Sequence, residues 1–99
     1  MARVRWTNGA LDDLHAIGEY FERTSRQYAR SVVARLYAAA DVLAEHPRLG
    51  RVVPEVETEH IRELVREGYR IVYVESETEI DILAVLHGRQ DLGRTLRRE

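Results

Sequence analysis

The 99-residue sequence contains no cysteine and no lysine, and it has only two prolines and one tryptophan. Without cysteine there is no disulfide framework, no thiolate zinc site and no cysteine nucleophile, which fits a reducing compartment. No apolar run approaches the roughly 20 residues of a membrane-spanning helix. Met1-Ala2-Arg3-Val4-Arg5-Trp6 is too short and too charged to open a signal peptide. A cytoplasmic location without membrane contact is therefore expected. The sequence also lacks a phosphate-binding glycine loop, a nucleotide fingerprint and a Ser/His/Asp arrangement. Its four histidines (His15, His46, His60, His87) have no metal-ligand spacing among themselves. Neither a cofactor nor a metal is expected. Repeats, low-complexity stretches and linkers are absent, so residues 1–99 read as one domain.

The missing lysines make every basic residue an arginine. Genomic composition bias explains that simply; a demand for planar, bidentate cations is the alternative. The net charge is −2. It is unevenly spread, with five arginines against eleven acids over residues 41–81, then four against two over residues 82–99. A nucleic-acid binder ordinarily shows a clear basic excess, and this chain does not.

What is present is periodicity. Arg3 to Thr7 alternates, with Val4 and Trp6 on one face of a short strand. Thr7 or Asn8 can cap a helix, with Asp12 and Asp13 near its positive end, whose buried stripe is Ala10, Leu14, Ile17 and Phe21, flanked by Leu11 and Gly18. Ser25 can cap a second helix carrying Ala29, Val32, Val33, Leu36, Ala40 and Leu43, and His46-Pro47 ends it. Together they predict an antiparallel helical hairpin, with Tyr20, Tyr28 and Tyr37 on its rim. Residues 48–58, with Gly50 and Pro54, read as loop. His60–Arg66, Tyr69–Val74 and Ile80–His87 are β-rich. They predict a three-stranded antiparallel meander with turns at Glu67-Gly68 and at residues 76–79. The first strand completes the same sheet, so the fold class is α+β.

A Glu67-Gly68 turn sets Arg66 opposite Tyr69, Leu64 opposite Ile71 and Arg62 opposite Tyr73. Continuing in register, Ile82, Ala84 and Leu86 share a face with Ile71 and Tyr73, and this face should receive the helices. Leu83, Val85 and His87 then share the other face with Val72 and Arg70. A one-residue slip would exchange these sets.

Several segments resemble the RelE/ParE superfamily of type II toxin–antitoxin toxins, and its ParE branch more closely. They are Val4-Arg5-Trp6-Thr7 with Ala10, Asp13, Leu14, Ile17 and Tyr20; His46-Pro47-Arg48-Leu49-Gly50-Arg51; Ile61-Arg62-Glu63-Leu64-Val65; Tyr69-Arg70-Ile71-Val72-Tyr73; and Ile82 to Arg89. The resemblance spans nearly the whole chain. It implies a helical hairpin on an antiparallel sheet, and a cognate antitoxin encoded beside the toxin. The antitoxin's C-terminal segment wraps the toxin and its N-terminal part binds operator DNA, so DNA is reached only through the antitoxin. The sheet face bearing Val65, Arg70, Val72, Leu83 and Val85 is the expected antitoxin interface, because a single helix layer would leave it open and apolar.

The superfamily acts in two ways: by cleaving mRNA in the ribosome, or by inhibiting DNA gyrase without nuclease chemistry. Cleavage would need a base, an acid and a stabiliser of the phosphorane charge. His87 and Glu63 are the acid–base candidates, with Arg62, Arg66, Arg70 and Arg89 as cations. Each also has a structural role open to it, since Glu63 can pair with an arginine and His87 can bond backbone at a strand end. RelE-like enzymes also use lysines and a tyrosine soon after the last strand, both missing here. The expectation is therefore a non-enzymatic gyrase inhibitor. The alternatives are a ribosome-dependent endoribonuclease and an inactive fold that only binds antitoxin.

Overall fold

A computed structural model describes residues 1–88, Gln90 and Leu92. Its elements are β1 (Arg3–Trp6), α1 (Asn8–Glu22), α2 (Arg26–Ala39), a 3-10 turn (Ala40–Ala44), β2 (Arg51–Val52), β3 (Ile61–Arg66), β4 (Tyr69–Glu75) and β5 (Glu79–His87). They form one open sheet in the order β1-β5-β4-β3-β2, with β1 parallel to β5 and the other pairs antiparallel. No helix of the described residues is long and apolar enough to cross a membrane.

Local chemistry starts each helix. Thr7 Oγ1 accepts the Ala10 N–H at 3.2 Å, and Ser25 Oγ accepts the Tyr28 N–H at 3.1 Å, each satisfying an amide that has no partner within its helix. The buried stripes are Ala10, Leu14 and Ile17 on α1, and Ala29, Val32 and Leu36 on α2. Gly18 lets the helices approach, because a Cβ there would stand 3.3 Å from Val33 Cγ2. The second helix tightens into 3-10 geometry at Ala40, where a continuous α-helix was expected through Leu43. The loop over residues 48–58 contains a two-residue strand, β2, that the sequence did not announce.

The β3–β4 register matches the turn-based expectation, with Arg66, Leu64 and Arg62 opposite Tyr69, Ile71 and Tyr73. The β4–β5 register does not follow it throughout. Tyr73 pairs with Ile82, but Val72 pairs with Ala84, leaving Leu83 as an extra residue in a β-bulge. Beyond it, every side chain of β5 changes face. Val85 joins Leu64, Ile71, Tyr73, Ile80 and Ile82 in the core beneath the helices. Ala84 and Leu86 move to the opposite face, with Val72. His87 pairs with Tyr69, on the helix side, rather than sharing a face with Arg70.

The first helix and its junction hold the bulge. Thr7 Oγ1 donates to Ile82 O at 2.8 Å. Strand β1 stops opposite Ile82, and beyond that point Asp13 Oδ2 accepts the Val85 N–H at 2.8 Å. Asp13 is thus an anchor to β5; the first turn of α1 contains no acid.

The face away from the helices is not an open apolar patch. Val53 and Leu92 are fully buried against Val72, Ala84 and Leu86, with Val56 and Ile61 packed at the margin. Of the five residues expected to form an exposed interface, Val72 and Val85 are buried and lie on opposite faces, Arg70 is buried, and Leu83 is half-buried. Only Val65 is largely exposed, at 49%. The loop after β2, together with Leu92, supplies the cover that a single helix layer could not.

Candidate functional site

Four charged side chains meet on the covered face. Glu63 is completely buried as a side chain and accepts from Arg70 Nε at 2.7 Å and from Arg51 Nε at 2.6 Å. Arg70 also reaches Glu55 Oε1 at 2.8 Å. Cross-strand placement causes this, because Arg51 and Val72 both oppose Glu63, and Arg70 is the next residue of β4 whose side chain shares that face. The hydrogen bond from Arg70 holds the Glu55 carboxyl below the usual carboxylate range. A buried carboxylate whose two oxygens are each taken by a guanidinium donor has no free oxygen to offer a substrate.

A second polar cluster pins the loop before β2. Tyr73 Oη donates to Pro47 O at 2.8 Å and accepts the Gly50 N–H at 2.9 Å. Arg62 Nη1 donates to Gly50 O and Arg62 Nε to Glu59 O, both at 3.0 Å. No side chain fits at Gly50, since a Cβ would lie 2.5 Å from Glu63 O. This explains physically the Pro47–Gly50 segment singled out by resemblance. The Tyr73 hydroxyl and Gly50 were not recognised as partners, because they lie on elements 23 residues apart with no local signal between them. Close by, Glu75 meets His60 Nδ1 at 2.8 Å and Arg48 at 3.2 Å, and its carboxyl is held low, by His60 most.

The remaining candidates lie elsewhere. Arg66 and His87 flank Tyr69 across β3, β4 and β5 on the helix side. The Tyr69 and His87 rings meet edge-on at 5.9 Å. Burial pushes the Tyr69 phenol up, with Tyr20 and Tyr28 adding to it. Arg66 is exposed and donates to the Val65 carbonyl. Arg89 lies outside the described residues. The five described acid–base and cationic candidates do not converge: Glu63 and Arg70 face one side of the sheet, whereas Arg62, Arg66 and His87 face the other. No group of three His, Asp or Glu among the described residues could hold a metal.

The open apolar surface lies on the hairpin. A groove along α1 and α2 is lined by Leu11, Leu14, Gly18, Val33, Ala34 and Tyr37, with His15, Glu19, Glu22 and Arg30 among its polar lining residues. Tyr37 stacks on Trp6 at 5.0 Å, so this rim tyrosine is tied to β1. Among the described residues His15 makes an exposed contact with Glu19 at 3.6 Å, on a solvated helix face.

Residues 4–92 match the family described as ParE toxin of type II toxin-antitoxin system, parDE. The chain is 41% identical over 96 residues to the putative toxin Y4kP of Sinorhizobium fredii, covering 95% of this chain and 96% of that protein. It is 40% identical over 88 residues to toxin RelE2 of Caulobacter vibrioides, covering 88% and 96%. Its fold is similar to that in a chromosomal ParDE toxin–antitoxin system from P. aeruginosa, with a TM-score of 0.75, 23% identity, and coverage of 88% of this chain and 96% of that one. It is also similar to a chain of the toxin–antitoxin complex RelBE2 from Mycobacterium tuberculosis, with a TM-score of 0.56, 26% identity, and coverage of 87% and 96%.

Proposed function

Because this chain belongs to the ParE toxin family of type II toxin–antitoxin systems, we propose that it arrests growth by binding DNA gyrase and carries no catalytic centre of its own. The observation that carries this reading is the dispersal of the candidate nuclease groups. Cleavage through a 2′-hydroxyl needs a base, an acid and a charge stabiliser around one phosphate. Here Glu63 is sealed between two arginines, Arg62 binds loop carbonyls, and His87 faces away from Arg70. The absence of lysine and the net charge of −2 also favour a protein target over a phosphate-rich one.

A cognate antitoxin is the constitutive partner. The hairpin groove is the surface suited to an amphipathic segment of that antitoxin, which would present apolar side chains at helical spacing. Operator DNA would be reached through the antitoxin alone. The test is a supercoiling assay with purified gyrase. Added toxin should abolish supercoiling, and antitoxin should restore it; undiminished supercoiling at large toxin excess would refute the reading.

One arrangement favours RNA cleavage as a second reading. Arg66, Tyr69 and His87 form a row on one face, offering a guanidinium, a phenol and an imidazole. This reading predicts codon-positioned mRNA cleavage in a translation extract, abolished by His87→Ala.

A further inference from the structure

The turn joining α1 to α2 carries a second exposed surface. Tyr20 and Tyr28 are 60% and 48% exposed, and each meets Phe21 edge-on, at 5.1 and 5.2 Å. Arg23 lies over the Tyr20 ring at 5.2 Å from its centroid. Phe21 and Tyr69 both pack against the core beneath, and Arg66 sits beside Tyr69 on the neighbouring strand. A recess here is lined by Tyr20, Phe21, Arg23, Thr24, Ser25 and Tyr28, and it shares no residue with the hairpin groove.

Arg5, Arg35, Arg48, Arg51 and Arg70 each hold a carboxylate. Among the described residues, Arg3, Arg23, Arg26, Arg30, Arg62 and Arg66 hold no carboxylate; Arg30 lines the hairpin groove and Arg62 binds loop carbonyls, whereas Arg23 lines this recess. Arg23 thus stands against the exposed Tyr20 ring, Arg26 follows Ser25 of the recess, and Arg66 lies opposite Tyr69, in a chain whose net charge is negative. Tyrosine and arginine are the side chains that most often anchor protein interfaces, since each offers a large contact area together with a polar group. Guanidinium groups beside aromatic rings suit carboxylates flanked by apolar side chains. Nucleic acid fits less well, because three cations on a net-negative chain give little phosphate attraction.

We propose that the Tyr20–Tyr28 recess, with Arg23, Arg26 and Arg66 around it, is the surface that engages the toxin's protein target through an acidic, apolar-flanked segment of that target. The antitoxin occupies the separate groove. This inference rests on the reading that the chain acts by binding a protein.

The test uses Tyr20→Ser/Tyr28→Ser and Arg23→Glu in the full chain, induced in bacteria without antitoxin. Wild type should arrest growth, and both variants should raise surviving colonies by about tenfold or more. Both should still co-purify with the antitoxin encoded beside the gene, and circular dichroism should show a wild-type fold. Arg23→Glu changes only an exposed turn residue and decides the matter if the double variant does not fold. Undiminished arrest in folded variants overturns the proposal. So does loss of antitoxin co-purification, which would assign the surface to the antitoxin, and so does arrest traced to RNA cleavage in a translation extract. Supercoiling assays on the same proteins separate the two readings. Wild-type arrest without gyrase inhibition overturns the gyrase assignment, while the colony counts still decide the surface.

Discussion

At the scale of single residues, the charged groups that look most like catalysts are structural. Arg70 is held by Glu63 and Glu55, and Glu63 by Arg70 and Arg51. Removing one partner of a buried pair leaves an uncompensated charge, so Arg70→Ala should cost about 3–5 kcal/mol of stability, measured by denaturant unfolding. A loss of toxicity in that variant would therefore report unfolding, whereas His87→Ala, at an exposed strand end, probes chemistry cleanly. Asp13 is the less obvious case. It accepts the Val85 N–H beside the bulge, and Asp13→Ala should cost about 1–3 kcal/mol by leaving that amide without an acceptor. A midpoint within error of wild type would show that another group satisfies Val85. From sequence, Asp13 looked like a helix-end charge, because its partner lies 72 residues away.

At the scale of elements, the helices and the β3–β4 hairpin were legible because their information is local. Thr7 and Ser25 are caps, the apolar stripes have helical spacing, and Gly68 marks the turn. Glu67 is the flaw in that turn. It takes a positive φ of 55° beside Gly68 at 81°, a pairing that favours Asn-Gly. Its carboxylate is held by Arg35 of α2 at 2.9 Å, an exposed pair of small worth. Glu67→Asn should therefore stabilise the protein by about 0.5–1 kcal/mol, read as a higher melting temperature. A lower melting temperature would mean that the Arg35 contact outweighs backbone strain. The short strand β2 escaped notice because two residues carry no periodicity; only pairing with Arg62 and Glu63 defines it.

At the scale of the whole molecule, acid sensitivity follows from the paired carboxylates. Glu55, Glu59 and Glu75 are all held below the usual range, chiefly by Arg70, Arg48 and His60 in turn. A lowered folded-state pKa gives stability that is complete above the unfolded value, about 4.3 for glutamate. That stability is lost as pH falls through the folded-state values, where the unfolded chain binds more protons. Unfolding midpoints should thus be flat near neutrality and drop below about pH 5, and Glu75→Gln should flatten part of the drop. An unchanged slope in Glu75→Gln would remove that residue from the account.

The sequence by itself determined the strand–helix–helix–meander order, the Ser25 cap, the β3–β4 register and the resemblance to ParE toxins, and it narrowed the first cap to Thr7 or Asn8. Each rests on short-range spacing or on an ordered set of motifs. Only tertiary structure decided which face Val85 and His87 occupy, which arginines are committed to carboxylates, and what covers the second face of the sheet. A single extra residue at Leu83 reverses every later side chain of β5, and its anchors come from the opposite end of the chain. Pairings between residues so far apart depend on where the elements pack, and spacing along the chain does not encode that.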